Sequence, residues 1–148
     1  MSRRQQRFED AYSLGKRKSE AMKVLHRFPT RVPVIVQAVS PELPFLRKRK
    51  FLVPADLKMG QFIAIIRSKL MLRPHQALFV MTKKKGVMPS TESLIVSVYH
   101  DNMGPDLFLY LDLYTENVFG SDLTWTGTDG RWKRGARRES ARTEPPSR

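Results

Sequence analysis

Hydrophobic positions change their spacing several times along this chain, and each change marks an element. Ala21, Val24, Leu25 and Phe28 fall three to four residues apart, one face of a helix. Ser13 stands ahead of them, a residue type that caps helix N-termini, and Pro29 and Pro33 stop the pattern. Residues 32–39 (VPVIVQAV) are β-branched and predict a strand. A turn-rich stretch follows at 40–44, and a basic tetrad at 47–50 enters a second predicted strand, 51–53, ended by Pro54. Helical spacing returns after Gly60, where Phe62, Ile63, Ile65, Ile66 and Leu70 share a face, Arg67 and Lys69 turn outward, and Pro74 closes the segment. Residues 77–81 predict a short strand and 82–86 a lysine-bearing turn taken to face solvent. Ser90, with Ser93 three residues on, opens a helix through Leu94, Ile95, Val98 and Tyr99, broken by Asn102, Gly104 and Pro105. The densest aromatic run, from Leu107 through Leu113, predicts a buried strand. Thr115, Glu116 and Asn117 are polar turn formers, so the chain is expected to leave the fold there, ahead of Gly120.

The order helix, strand, strand, helix, strand, helix, strand implies an α+β domain, and a ubiquitin-like β-grasp is the simplest arrangement that accommodates it. A length of 148 residues suits one domain with tails, and 41% hydrophobic residues suffice for one core. Residues 121–148 are rich in Gly, Thr, Ser, Arg and Pro and lack apolar periodicity, so they read as a disordered C-terminal extension; Trp125 and Trp132 alone build no core. The expected organisation is a basic N-terminal helical region over 1–30, the folded core over 31–120 and the extension over 121–148.

Charge and candidate chemistry narrow the function. The net charge is +13, unevenly spread: residues 1–50 hold 13 Lys and Arg against 4 Asp and Glu, whereas residues 51–120 hold 7 against 6. That asymmetry points to an acidic partner, an anionic membrane surface or nucleic acid. Aromatic and basic residues are not interleaved in an RNA-binding pattern, so no nucleic-acid partner is expected. Arg3, Arg4, Arg7, Lys16, Arg17 and Lys18 are candidates for acidic lipid headgroups or acidic tubulin tails. With no Cys, the chain has no disulfide framework, thiol nucleophile or thiolate metal site. His26, His75 and His100 do not cluster with carboxylates at ligand spacing, and no phosphate loop or Ser-His-Asp order stands out, so neither catalysis nor a metal or cofactor is expected. The start MSRRQQRFED has no apolar segment and no run approaches about 18 apolar residues. Membrane association would then be peripheral or covalent. Gly120, lacking a Cβ, ends a predicted strand and precedes an unlike tail, which suggests a chain cut after Gly120 and joined through the new carboxylate.

The segments KRKSE (16–20), RFPTRVPVIV (27–36), KRKFLVPADLKMGQF (48–62), IIRSKLML (65–72) and FLYLDLYTENVFG (108–120) closely resemble the autophagy-related ubiquitin-like modifiers, which include the GABA-receptor-associated protein and the microtubule-associated light-chain-three proteins. The resemblance covers residues 12–120 or so, in order along the chain. It implies two N-terminal helices on a β-grasp core. It also implies cleavage after Gly120 by a cysteine protease that holds Phe119 in a pocket, and transfer by activating and conjugating enzymes to phosphatidylethanolamine. The lipidated protein would act on autophagosome and vacuole or lysosome membranes, the free one in the cytoplasm, recruiting receptors with an aromatic-x-x-aliphatic motif. One receptor pocket would match Glu20, Val24, Pro33, Ile35, Lys50, Leu52 and Phe108, the other Phe51, Val53, Pro54, Leu57, Phe62 and Ile65, with Arg31, Lys48 and Arg49 joining Lys50 around acidic flanks of the motif. From the residues alone, Ile35, Phe62 and Ile65 read equally well as core. The chain departs from the family in its long extension, in Phe51 where a tyrosine is common, and in an apolar connection at 43–45. An unlipidated peptide-binding scaffold, for example on microtubules, is the alternative, and a basic nucleic-acid module a further one.

Overall fold

The structure, a computed structural model, describes residues 5–115, 123–125 and 132–134. In chain order the elements are helix α1 (Phe8–Ala11), helix α2 (Leu14–Arg27), strand β1 (Arg31–Ala38), strand β2 (Lys50–Pro54), helix α3 (Met59–Leu70), strand β3 (Leu78–Thr82), helix α4 (Ile95–Asn102) and strand β4 (Leu109–Thr115). Two short strands follow, β5 (Leu123–Trp125) and β6 (Trp132–Arg134).

The main sheet has the order β2-β1-β4-β3. Strand β1 pairs antiparallel with β2 and parallel with β4, and β3 pairs antiparallel with β4. The two central strands are covered on both faces, which is why they read as continuous apolar runs rather than alternating ones. Val32, Val34 and Val36 of β1 face a core shared with Phe62, Ile66, Ile95 and Val98 of α3 and α4. Ile35 faces the other way, into a smaller cluster with Phe8, Ala21, Phe108 and Tyr110 under α1 and α2. Pro33 fits inside β1 because its missing N–H falls where no ladder bond is made: the β1–β4 register begins at Val34.

The resemblance implied two N-terminal helices, and both are present. The Ser13 hydroxyl accepts the Lys16 N–H at 3.2 Å, capping α2. The polarity of residues 1–12 hides α1, a single turn anchored by buried Phe8, edge-on to Phe108 at 5.5 Å between centroids, with the Phe8 N–H on the Gln37 side-chain oxygen at 3.1 Å and Glu9 on Lys83. Most boundaries shift by a residue or two, and three of the differences have a clear physical cause. Helix α4 begins at Ile95, because Ser90 forms a turn in which its hydroxyl accepts the Glu92 N–H. Helix α3 ends at Met71 in a left-handed conformation (φ 55°), ahead of Pro74. Thr115 does not leave the fold: it is buried, paired with Leu78, and its N–H is taken by the Ser40 hydroxyl at 2.8 Å. A polar residue ends a strand only when no partner is waiting for it. Within the extension, read above as without order, β5 and β6 form a separate two-stranded ladder with Trp125 opposite Trp132. Thr and Trp are strong strand formers, which favours a short local ladder there.

Candidate peptide-binding groove at the β2 edge

Strand β2 lies at one edge of the sheet, and its backbone sorts by parity. The Val36 N–H donates to the Arg49 carbonyl at 2.9 Å, which fixes the hydrogen-bonded phase of the β1–β2 ladder. By alternation, Phe51 and Val53 spend their backbone groups on β1, whereas Lys50 and Leu52 direct theirs outward. Side chains alternate with the same period. Leu52 and Lys50 lie opposite Pro33 and Ile35 on the α2 side, and Phe51 and Val53 lie opposite Val34 and Val32 on the α3 side.

Two apolar sites therefore flank one free edge. On the α2 side, buried Pro33, Ile35 and Phe108 form a floor, and half-buried Glu20, Val24 and Leu52 stand above it. Lys50 Nζ meets Glu20 Oε2 at 2.6 Å across this side. Both side chains keep about half their surface in solvent, so the pair contributes little stability and is free to exchange for another carboxylate. On the α3 side, Phe51 packs edge-on against buried Phe62 at 5.5 Å, over buried Val53 and half-buried Leu57. Ile65 is 41% exposed, so it belongs to the surface rather than to the core, while Ile35 and Phe62 line the floors as core residues. Pro54 ends the strand in solvent.

Cations ring this edge. Lys48 Nζ sits 4.9 Å above the Phe51 ring, and Arg31 Nη1 donates to the outward carbonyl of Leu52 at 3.3 Å. Arg49 donates to the Gln6 carbonyl, which ties the segment before α1 to the start of β2. All the predicted groove residues thus converge on one edge and its two flanks. Gly120 and Phe119 lie outside the described residues.

With that geometry in view, comparison with known proteins is decisive. The sequence profile described as autophagy protein Atg8, ubiquitin like, matches residues 16–120. The chain belongs to the Atg8 family of autophagy ubiquitin-like proteins. Autophagy-related protein 8 of Saccharomyces cerevisiae is 40% identical over 114 residues, spanning 76% of this chain and 96% of that relative. Autophagy-related protein 8d of Arabidopsis thaliana is 36% identical over 114 residues, spanning 76% and 93%. The crystal structure of Trypanosoma brucei ATG8 superposes with a TM-score of 0.69 at 31% identity, covering 76% of this chain and 97% of that one. The fold is therefore the ubiquitin-like α+β fold of the Atg8 family. Among the described residues no helix is long and apolar enough to cross a membrane, and no group of residues has the makings of a metal site.

This Atg8-family chain also holds a polar centre that sequence reasoning missed. Asp106 is fully buried, yet its carboxylate accepts from Arg17 Nη1 at 2.5 Å, from the Tyr110 hydroxyl at 2.6 Å and from the Phe108 N–H at 3.0 Å. These bonds hold the connection that contains Leu107 at φ 70°, a conformation costly for a branched side chain; the Tyr99 hydroxyl secures it by donating to the Leu107 carbonyl at 2.7 Å. Burial works against the Arg17 charge, but its hydrogen bonds to Tyr110 and Asp106 outweigh that, and its pKa is raised. Burial, and after it the Asp106 carboxylate, raise the Tyr110 pKa as well. Asp106 thereby offsets the Arg17 charge among the N-terminal cations, while one Arg17 nitrogen, Nη2, makes no hydrogen bond. The lysine turn is not simply solvent-facing either: Lys83 pairs with Glu9 of α1, and Lys84 Nζ reaches the Met103 carbonyl at 3.3 Å. The only sequence signal for this centre was an isolated acid, Asp106, beside an apolar run.

Proposed function

We propose that this chain is the precursor of an autophagy modifier, itself a substrate rather than an enzyme. A cysteine protease cuts after Gly120, and activating and conjugating enzymes pass the new carboxylate to phosphatidylethanolamine. On autophagosome membranes, and on vacuole or lysosome membranes, the lipidated protein aids membrane expansion and gathers cargo receptors and adaptors. The receptor segment adds as a strand to β2, its aromatic residue in one flanking pocket and its aliphatic residue in the other. Membership of the Atg8 family supports this reading, and one observation carries the receptor part of it: the backbone groups of Lys50 and the N–H of Leu52 face outward between two apolar flanks, the Leu52 carbonyl meeting only the exposed Arg31 guanidinium at 3.3 Å. Burying two large apolar side chains contributes roughly 1.5 to 3 kcal/mol each before the cost of association. A micromolar Kd corresponds to about 8 kcal/mol, so the added-strand hydrogen bonds and the charged flanks supply the remainder. The cations at 47–50 and Arg31 favour acidic residues beside the motif and make the affinity fall with salt.

Two measurements test the reading. A peptide of form acidic-acidic-aromatic-x-x-aliphatic binds with micromolar Kd by fluorescence anisotropy, and replacing its aromatic residue with Ala removes binding; equal binding of both peptides rejects the groove. Incubation with the family's protease, its activating and conjugating enzymes and phosphatidylethanolamine vesicles yields a product whose intact mass is residues 1–120 plus lipid. The Gly120→Ala variant yields none, and a lipid adduct at any other residue refutes the conjugation site.

A further inference from the structure

Behind the N-terminal helices, away from β2, a cleft of about 340 Å³ opens between α1, α2, the turn after β3 and the α4–β4 connection. It plays no part in the proposed groove or in conjugation. Three cations line it, Arg17, Lys83 and Lys84, against two carboxylates, Glu9 and Asp106. Asp106 is saturated by Arg17, Tyr110 and Phe108, whereas Glu9 holds Lys83 through Oε2 only, its Oε1 lying 3.6 Å from Arg7 without a hydrogen bond. The Arg17 contacts use Nε, on the Tyr12 carbonyl, and Nη1, leaving Nη2 as a donor. Lys84 has three ammonium hydrogens and one long bond to the Met103 carbonyl. The wall also carries a surplus acceptor. Asn102 is 6% exposed; its Nδ2 donates to the Val98 carbonyl at 3.0 Å, and its Oδ1 has no partner.

The cleft thus offers spare cationic donors on one side and a spare neutral acceptor on another, with Tyr110 and Pro105 as apolar surface between. A bare anion answers the first and not the second. A neutral alcohol does the reverse. We propose that the cleft binds a phosphorylated polyol, its phosphate on Lys84 and Arg17 and a free hydroxyl toward Asn102. A phosphate monoester brings three strong acceptor oxygens and close to two negative charges, which suits an ammonium beside a guanidinium. Two sources share this chemistry: a free sugar or inositol phosphate, and the headgroup of an inositol phospholipid.

The test is an amide NMR titration of the ¹⁵N-labelled full chain with myo-inositol monophosphate, inorganic phosphate and myo-inositol. The phosphorylated polyol produces saturable shifts confined to Lys83, Lys84 and residues 102–106, and binds about tenfold tighter than inorganic phosphate, the difference one good hydrogen bond makes. Lys84→Ala weakens it about tenfold, whereas Lys85→Ala, one residue outside the lining, changes nothing. An unchanged spectrum away from the cleft shows that Lys84→Ala is folded. Shifts spread equally over 47–50, binding of neutral myo-inositol at equal strength, or indifference to Lys84→Ala overturns the proposal. Cosedimentation with phosphatidylcholine vesicles, with and without phosphatidylinositol monophosphate, then separates the sources. Recruitment lost in Lys84→Ala identifies the lipid headgroup, and soluble binding without recruitment identifies the free phosphate; either sustains the site. Because neither assay uses the protease, the conjugating enzymes or a receptor peptide, its failure is distinct from failure of the autophagy reading.

Discussion

Asp106 and Asp112 show how burial gives two carboxylates opposite consequences. Asp106 is saturated by three donors, so its removal leaves Arg17 and Tyr110 without their acceptor in a buried setting. Asp106→Ala is expected to cost about 3 to 5 kcal/mol, the scale for breaking a buried charged pair, measured by urea unfolding. Asp112 is buried in β4 with Oδ1 unpartnered. Burial, the largest influence, raises its pKa, against the pull of Arg7, the neighbouring Gln37 amide and Lys83. The folded state therefore holds the proton more tightly than the unfolded state. Below the ordinary carboxylate pKa both states are protonated and nothing is lost; as pH rises from there through the raised folded value, stability falls, and above it the loss is constant. Asp112→Asn removes that loss. It is expected to raise Tm at pH 7 and to converge with the natural chain as pH falls below the ordinary carboxylate range, followed by thermal unfolding across pH. A variant no more stable at neutral pH contradicts this account. The same two residues mark the limit of reading letters one at a time: each is a lone acid in an apolar run, and the run gives no hint that one is saturated and the other is not.

At the scale of elements, most of the helices and strands are legible because each follows one rule. Helix α2 has its cap and its 3-to-4 apolar spacing; β1 and β4 have dense β-branched or aromatic runs; Pro54 stops β2. Where boundaries miss, a distant partner decided them. Thr115 continues β4 because Leu78 and Ser40 are there to receive it, and α1 exists because Phe8 finds Phe108 a hundred residues away in sequence. The groove belongs to this scale too. Alternation within 50–53 is visible in sequence, but which parity faces solvent is set by the pairing of Val36 with Arg49. A direct check isolates the outward N–H of Leu52. Leu52→Pro removes that donor where no ladder bond is lost, so the chain still folds, as an edge strand tolerates proline. Against Leu52→Ala, which removes only the side chain, Leu52→Pro is expected to weaken receptor peptide by a further three- to tenfold, the worth of about one hydrogen bond, read by anisotropy. Equal affinities for the two variants argue that the peptide does not add as a strand.

For the whole molecule, the last strand of the four-stranded sheet is β4, Leu109–Thr115, and the β5–β6 ladder forms a sheet of its own. A chain ending at Gly120 is therefore expected to unfold with the same midpoint and the same denaturant slope as the full chain, since both reflect the surface buried by the four-stranded body. A markedly lower midpoint shows instead that the extension supports the core. The uneven charge has its meaning at this scale as well. Sequence counting groups all N-terminal cations together, whereas the fold divides them: Arg17 and Arg49 are held by the structure, and Lys83, from a distant turn, joins α1.

Local physics in the chain determined the fold class, the order of elements and the segments that carry the Atg8 likeness, because helix and strand periods, caps and prolines act over a few residues. The tertiary structure alone decided which apolar residues are floor and which are surface, and which edge of β2 is open. It also decided that Arg17, Lys83, Lys84, Asn102 and Asp106 meet around one cleft. Those outcomes depend on which residues distant in sequence become neighbours, and no short window of sequence contains both members of such a pair.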